Sequence, residues 1–260
     1  MSKVKLVSSN GFEMNYPNLP YRIFPLGDAA ITVDFGNCID EIINNEVIAR
    51  FRQLQQQPLP GMIEAVPAYS SLTIYYDVWA LKNIKTMGQT VFEWMKHQLL
   101  ERLQQPIEPY EIHERQIQIP VCYAEEFATD IRHLAAKKNI SVEEVVHIHT
   151  AKNYKVYMLG FLPGFAYMGE VDESIAMPRK PQPVGMVAGN VGIAGKQTGI
   201  YPLASPGGWQ IIGRTPVKLF DAENEAPTLL RAGDCVQFYS ITKEHYYEIQ
   251  SRSLPGRNQL

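Results

Sequence analysis

Side chains able to do chemistry concentrate between Gly160 and Asp234, most densely in the run from Gly189 to Pro216, Gly-Asn-Val-Gly-Ile-Ala-Gly-Lys-Gln-Thr-Gly-Ile-Tyr-Pro-Leu-Ala-Ser-Pro-Gly-Gly-Trp-Gln-Ile-Ile-Gly-Arg-Thr-Pro. Glycine loses more backbone entropy on folding than any other residue, so such density marks sharp turns or backbone that comes close to something. Lys196, Gln197, Thr198, Tyr201, Trp209 and Arg214 stand among the glycines. These side chains can hold an anionic or amide-bearing group. The pattern predicts a binding site here.

Gly195-Lys196 is not a P-loop, because that motif needs a glycine where Asn190 stands and Ser or Thr where Gln197 stands. Two readings of the turn stay open: backbone N–H groups beside a lysine that bind phosphate or carboxylate, or a structural turn. Arg179 and Arg214 lie between glycines and prolines. Each is either a solvated surface group or an arginine held for a bidentate grip on carboxylate or phosphate. In His147-x-His149-Thr150 the two histidines do not share a helix face, which argues against a metal pair. His149 is a candidate for proton transfer, with a satisfied structural histidine as its competitor. Gly160-Phe-Leu-Pro-Gly164-Phe-Ala-Tyr167 is either a turn packed by its own rings or a pocket wall of Phe161, Phe165 and Tyr167. Ser205 is first a turn residue. Met95-Lys96 is followed by His97 in a helical pattern, so it is no biotin-carrier site.

The elements that would position these residues follow from pattern. Residues 1–19 read as a flexible N-terminus and 20–108 as a compact α+β domain. In that domain, strands at Tyr21–Leu26 and Ala29–Phe35 precede a helix capped by Asp40 and ending near Gln57. Strands at Met62–Pro67 and Ser71–Tyr76 and a long helix from Ile84 to Leu103 complete it. After a linker at Gln104–Pro109, residues 109–252 open with a strand at Glu111–Val121 and helices at Ala124–Lys137 and Ser141–Thr150. Ser141 and Glu144 have capping-box spacing. Short apolar runs between Gly and Pro follow, at Val156–Leu159, Gly185–Ala194, Gln210–Ile212, Val217–Phe220, Cys235–Ser240 and Tyr246–Ile249. They predict a small β-barrel or closed sandwich. Residues 253–260 form a tail.

Composition narrows the function. The 260 residues are 45% hydrophobic and 20% charged, with a net charge of -3, which gives no argument for nucleic acid or an anionic membrane. No apolar run approaches a membrane span, and Met1–Asn15 lacks a signal-peptide core. Three well-separated cysteines, Cys38, Cys122 and Cys235, fit a reducing cytoplasm better than a disulfide framework or a zinc site.

Several segments together resemble the KipI / allophanate hydrolase subunit 1 family over roughly residues 20–250. They are Tyr21-Arg-Ile-Phe-Pro-Leu-Gly-Asp-Ala-Ala, Val66-Pro-Ala-Tyr-Ser-Ser-Leu, His149-Thr, Gly160-Phe-Leu-Pro-Gly-Phe, Gly192-Ile-Ala-Gly-Lys-Gln-Thr-Gly-Ile-Tyr-Pro and Ser205-Pro-Gly-Gly-Trp-Gln-Ile-Ile-Gly-Arg-Thr-Pro. The chain departs from the family's usual pattern at Ala166-Tyr-Met (usually Pro-Tyr-Leu) and at Val187-Ala-Gly-Asn190-Val (usually Pro-Ala-Gly-Ser-Val). The resemblance implies an α+β N-terminal domain followed by a mainly-β, cyclophilin-like barrel of the carboxyltransferase type. It implies a hydrolase subunit of an ATP-dependent 5-oxoprolinase, inactive alone and carrying no biotin. Its expected partners are a KipA / allophanate hydrolase subunit 2-type protein and a LamB/YcsF-type protein. The alternatives are a KipI-like histidine-kinase inhibitor and a component of a biotin-dependent urea-degrading system. With that chemistry in view, His149, Lys196 and Arg214 are the expected catalytic residues. The expected substrate-binding set is Phe161, Gly164, Tyr167, Arg179, Gly195, Gln197, Thr198, Tyr201, Ser205, Gly207, Gly208 and Trp209, with no metal and with ATP as co-substrate.

Overall fold

The computed structural model describes residues 4–7, 13–16, 19–83, 88–107 and 115–252. The chain divides into two compact units, 1–113 and 114–260. The expected flexible segment 1–19 and tail 253–260 lie almost wholly outside the described residues, apart from β1 (Val4–Val7) and β2 (Glu13–Tyr16), which pair antiparallel.

The first unit is built on an antiparallel sheet of β3 (Arg22–Pro25), β4 (Ala30–Asp34), β5 (Met62–Pro67) and β6 (Ser71–Tyr76), in the order β3-β4-β6-β5. α1 (Glu41–Gln56) lies between β4 and β5; α2 (Val78–Leu81) and α3 (Val91–Gln104) follow β6. Alternation along the strands directs Ile31, Val33, Leu72 and Ile74 into one core with Val47 and Leu54 of α1 and Met95 and Leu99 of α3. Asp40 caps α1 by accepting from the Ile43 amide at 2.9 Å. The helix expected from Ile84 begins instead at Val91, because Thr90 and Glu93 form a complete capping box; residues 84–87 lie outside the described set. Thr90→Ala should therefore lower the stability of this unit by about 1 kcal/mol. Urea unfolding followed by circular dichroism measures the loss, and a midpoint equal to wild type would show that the box is idle.

The second unit holds a mixed sheet that nearly closes. Its strands are β7 (Gln116–Val121), β8 (Asn153–Leu159), β9 (Ala166–Gly169), β11 (Asn190–Ala194), β12 (Gln197–Ile200), β14 (Gln210–Arg214) and β15 (Cys235–Ser240). They run in the order β14-β11-β12-β9-β8-β15-β7, with only the β15–β7 pair parallel. A separate ribbon pairs β10 (Val184–Met186) with β13 (Ser205–Gly207). The two outermost strands meet through reciprocal bonds at their ends: the Cys122 amide donates to the Arg214 carbonyl at 2.8 Å, and the Arg214 amide to the Cys122 carbonyl at 3.0 Å. Val121, Val156, Met168, Val191, Ile193, Ile212, Val236 and Phe238 fill the interior. α4 (Ile131–Lys138) and α5 (Val142–Thr150) pack together, and α6 (Lys243–Arg252) follows β15.

Three expectations need correction. The helix expected over Ala124–Lys137 starts only at Ile131, after turns and bends over 124–130. Val217–Phe220 makes a single bridge, Phe220 to Thr228, and no strand. Tyr246–Ile249 is helical. Its aromatic pair suggests a strand, but Thr242 accepts from the His245 amide through its hydroxyl at 3.2 Å and from the Tyr246 amide through its carbonyl at 3.0 Å. Tyr246 then stacks on Phe127 with ring centroids 4.4 Å apart, so a tertiary contact overrides β propensity.

Candidate binding site

The glycine-dense run proves to be buried sheet, where its glycines leave room for rings. A Cβ on Gly199 would stand 2.9 Å from Trp209 Cζ3 and 3.1 Å from Phe165 Cζ, and a Cβ on Gly207 would collide with the Tyr201 hydroxyl. Into the space so vacated pack Phe165, Tyr201 and Trp209, all nearly inaccessible, with half-buried Tyr167 beside them. Phe165 is the hub, its centroid 4.8 Å from Tyr167, 5.3 Å from Tyr201 and 5.4 Å from Trp209, with edge-on geometry in each case. Phe161 reaches the cluster at 5.6 Å from Phe165 while remaining 60% exposed. Its φ of +70° is a conformation that a bulky residue adopts only when its surroundings impose it.

Two polar groups meet this cluster. The exposed Arg179 lays its guanidinium over the Trp209 ring, 5.9 Å from the centroid, and no carboxylate pairs with it among the described residues. Its positive charge acts on Tyr167 and Tyr201, but burial dominates and pushes both phenols above the usual tyrosine range. The Ser205 hydroxyl is buried with no hydrogen-bond partner among the described residues. Side chains two apart on a strand share a face, so Ser205 points to the side on which Gly207 meets Tyr201. An orphaned buried hydroxyl costs about 1–3 kcal/mol unless something completes it. Apolar walls, a free guanidinium and an unspent hydroxyl suit a small, flat, anionic ligand with a second polar group.

The other expected residues lie elsewhere. His149 is fully buried in the barrel unit, stacked on Phe238 with centroids 4.6 Å apart. Its Nδ1 lies 2.7 Å from the Tyr123 hydroxyl and its Nε2 lies 3.0 Å from Thr198 Oγ1. Because the Thr198 hydroxyl donates to the Gly192 carbonyl at 3.1 Å, Nε2 must carry the proton and Nδ1 must accept from Tyr123. Every polar atom in that chain is used, and desolvation lowers the His149 pKa to about 3. In this structure the polar atoms of His149 and Thr198 serve the interior of the barrel unit.

Gly195 and Lys196 form the two-residue tip of the β11–β12 hairpin, with Gly195 at φ +61°. The Gly195 amide is spent on the Met177 carbonyl at 2.7 Å, and exposed Lys196 pairs with Glu173 at 2.5 Å. That tip does not fit the phosphates of ATP, which need unspent amides and an unpaired cation. Gln197 begins β12, and Gly164 is buried where a Cβ would press on Phe220 and the Leu219 carbonyl. Arg214 sits at the seam of the sheet, donating to Asn190 Oδ1 at 2.9 Å, with its guanidinium 5.2 Å over Phe127. It pairs with Asn190 in register, five residues before Gly195, so about 16 Å of strand separates Arg214 from the Lys196 turn. The two cannot grip one group together. The structure does gather Phe161, Tyr167, Arg179, Tyr201, Ser205, Gly207, Gly208 and Trp209. Among the described residues no group of His, Cys, Asp and Glu is placed to hold a metal, no helix is long and apolar enough to cross a membrane, and Cys38, Cys122 and Cys235 form no disulfide.

Sequence reasoning missed Asp130 and Lys180, which pair at 2.6 Å beneath Arg179. No local signal joins the two, and Asp130 falls inside the helix expected over Ala124–Lys137.

The carboxyltransferase domain family, subdomain C and D, matches residues 21–230. The chain is 45% identical over 235 residues to the B-type subunit of 5-oxoprolinase from Bacillus subtilis (strain 168), covering 90% of this chain and 98% of that one. It is 36% identical to the corresponding 5-oxoprolinase subunit of Escherichia coli O157:H7, covering 84% and 94% of the two chains. The crystal structure of TTHA0988 in space group P212121 superposes with a TM-score of 0.70 at 36% identity, over 82% of this chain and 40% of that one. The present chain thus spans about two fifths of that longer protein.

Proposed function

Because this chain belongs to the family of B-type 5-oxoprolinase subunits, within the carboxyltransferase domain, subdomain C and D, we propose that it supplies the wall of a site that binds 5-oxoproline. In this reading a complete enzyme opens the lactam to glutamate at the expense of ATP. The observation that carries it is Arg179, a guanidinium without a carboxylate partner among the described residues, lying over Trp209, which stands four residues after the orphaned Ser205 hydroxyl in sequence. Arg179 takes the substrate carboxylate through its fork of N–H donors. The exposed Phe161 ring and the half-buried Tyr167 ring cover the flat lactam, and Ser205 completes a hydrogen bond to its amide.

A five-membered lactam is a stable amide, and the phosphoryl group of ATP, when bound, makes its carbonyl carbon open to attack by water. The described residues of this chain offer no fitting phosphate cradle, so the nucleotide belongs on a partner. Those partners are a KipA / allophanate hydrolase subunit 2-type protein and a LamB/YcsF-type protein, in the cytoplasm, and the seven-stranded sheet is the cyclophilin-like barrel of this family. Arg179 and Ser205 hold the substrate in place. We expect glutamate release from 5-oxoproline and ATP only when the chain is mixed with both partners. No activity from an assembled mixture would defeat this reading and favour carboxyl transfer or kinase binding.

A further inference from the structure

The segment that carries Arg179 is held more tightly than an exposed arginine needs. Pro178 accepts from the buried Gln210 amide side chain at 2.9 Å, and the Lys180 amide donates to the Gly208 carbonyl at 2.6 Å. The Lys180 ammonium then turns inward to Asp130 Oδ2 at 2.6 Å, with both side chains less than a fifth exposed. Neighbouring residues thus point apart, Lys180 into the protein and Arg179 over the Trp209 ring.

Asp130 is itself unusual. It occupies the N-cap of α4 yet makes no side-chain cap bond there. A cap aspartate ordinarily accepts from an amide of the first turn, for about 1 kcal/mol. Here the carboxylate accepts instead from the Ile211 amide at 2.7 Å, while the Asp130 amide donates to the Ile211 carbonyl at 2.9 Å. Ile211 is two residues from Trp209. One carboxylate therefore ties the strand that follows Trp209 to the lysine that follows Arg179, and the helix forgoes its own cap.

From this geometry we infer that Asp130 and Lys180 are positioning residues, which fix the Arg179 guanidinium over Trp209 and so set the site's selectivity for a ligand bearing a carboxylate. The inference rests on the reading of Arg179 as the carboxylate-binding group. An unpinned arginine sweeps a wide volume and spends rotamer entropy on each ligand it meets. A pinned one has lost that freedom beforehand.

The test uses Lys180→Met, which keeps the apolar stem and removes the charge, and Lys180→Arg, which restores it. The Asp130–Ile211 bond remains available in both. In the intact chain the Trp209 ring current should shift the Arg179 Nε–Hε NMR resonance. Lys180→Met should abolish that shift and Lys180→Arg should keep it. In the enzyme assembled with its partners, the same Lys180→Met should raise the KM for 5-oxoproline about tenfold with kcat within about twofold, as expected when ground-state binding alone is lost. A ring-current shift that persists in Lys180→Met overturns the strut, whatever Arg179 does for the substrate. A shift that disappears without a change in KM overturns its role in selectivity. Arg179→Ala with a wild-type KM separately defeats the substrate site itself.

Discussion

Replacing Arg179 with alanine should lower kcat/KM for 5-oxoproline about 100-fold in the assembled enzyme, mostly through KM, and leave the thermal midpoint unchanged. The side chain is exposed and its one described contact is the Trp209 ring, so the fold loses little. The ligand's carboxylate, by contrast, loses its counter-charge above the Trp209 ring. Arg179→Lys keeps the charge but not the planar fork, and should recover only about a tenth of the wild-type value. Lys196→Ala is the contrast. Its ammonium is already paired with Glu173 on the surface, and its loss should change kcat/KM less than about twofold. Steady-state kinetics of the three variants with equal amounts of the partner proteins decide the matter. A collapse in Lys196→Ala with a normal Arg179→Ala would return the site to the hairpin tip.

The second large effect concerns stability. His149→Ala should destabilise the barrel unit by about 4 kcal/mol, because it opens a cavity beside Phe238 and strands the Tyr123 hydroxyl. The same residue makes stability depend on pH with a definite sign. Folded His149 titrates at about 3, whereas the unfolded residue titrates near 6.5. Between those values the unfolded chain binds a proton that the native chain refuses. Stability is therefore undiminished by this group above pH 6.5 and falls as the pH drops towards 3, at about 1.4 kcal/mol per pH unit. His149→Gln cannot titrate, and it retains an amide for Tyr123 and Thr198. Urea unfolding of wild type and His149→Gln at pH 7, 6, 5 and 4 should show the two converging as acid is added. Parallel curves would mean that His149 is not held neutral.

Legibility from sequence followed the range of the interactions. Asp40 and Ser141 were readable as caps because the amides they satisfy, on Ile43 and Glu144, lie three residues away. The strands Met62–Pro67, Ser71–Tyr76 and Cys235–Ser240 were readable because alternation or apolar runs record their burial. What failed were features decided at long range. Gly199 belonged to a run read as sharp turns or closely approached backbone, and what approaches it is Trp209, a contact invisible to a local reading of glycine alone. His149 looked reactive by type, yet Tyr123 and Thr198, 26 and 49 residues away, had already used both ring nitrogens. Lys180 and Asp130 stood 50 residues apart, and nothing local to either announced the other.

The family resemblance did what local pattern could not. It identified the family correctly and its segments include Trp209, although it ranked Lys196, Arg214 and His149 higher; Arg179 was singled out by its place between prolines. Arg214, framed by Gly213 and Thr215-Pro216, is an arginine that local sequence presents as poised for a ligand. The structure instead commits its Nε to Asn190 and its backbone to Cys122.

The order of strands also bears on how the molecule is made. β15, Cys235–Ser240, lies between β7 and β8 in the sheet, so more than a hundred residues emerge from a ribosome before β7 meets its partner. Until then β7 and one edge of β8 present bare amides and carbonyls, the template on which strands from other chains add. A parallel closure of this sequence span is slow by its loop entropy alone. Biosynthesis thus has a vulnerable interval that ends only when the last strand is delivered, and ribosome stalling ahead of Cys235 should yield aggregates sooner than stalling beyond Arg252.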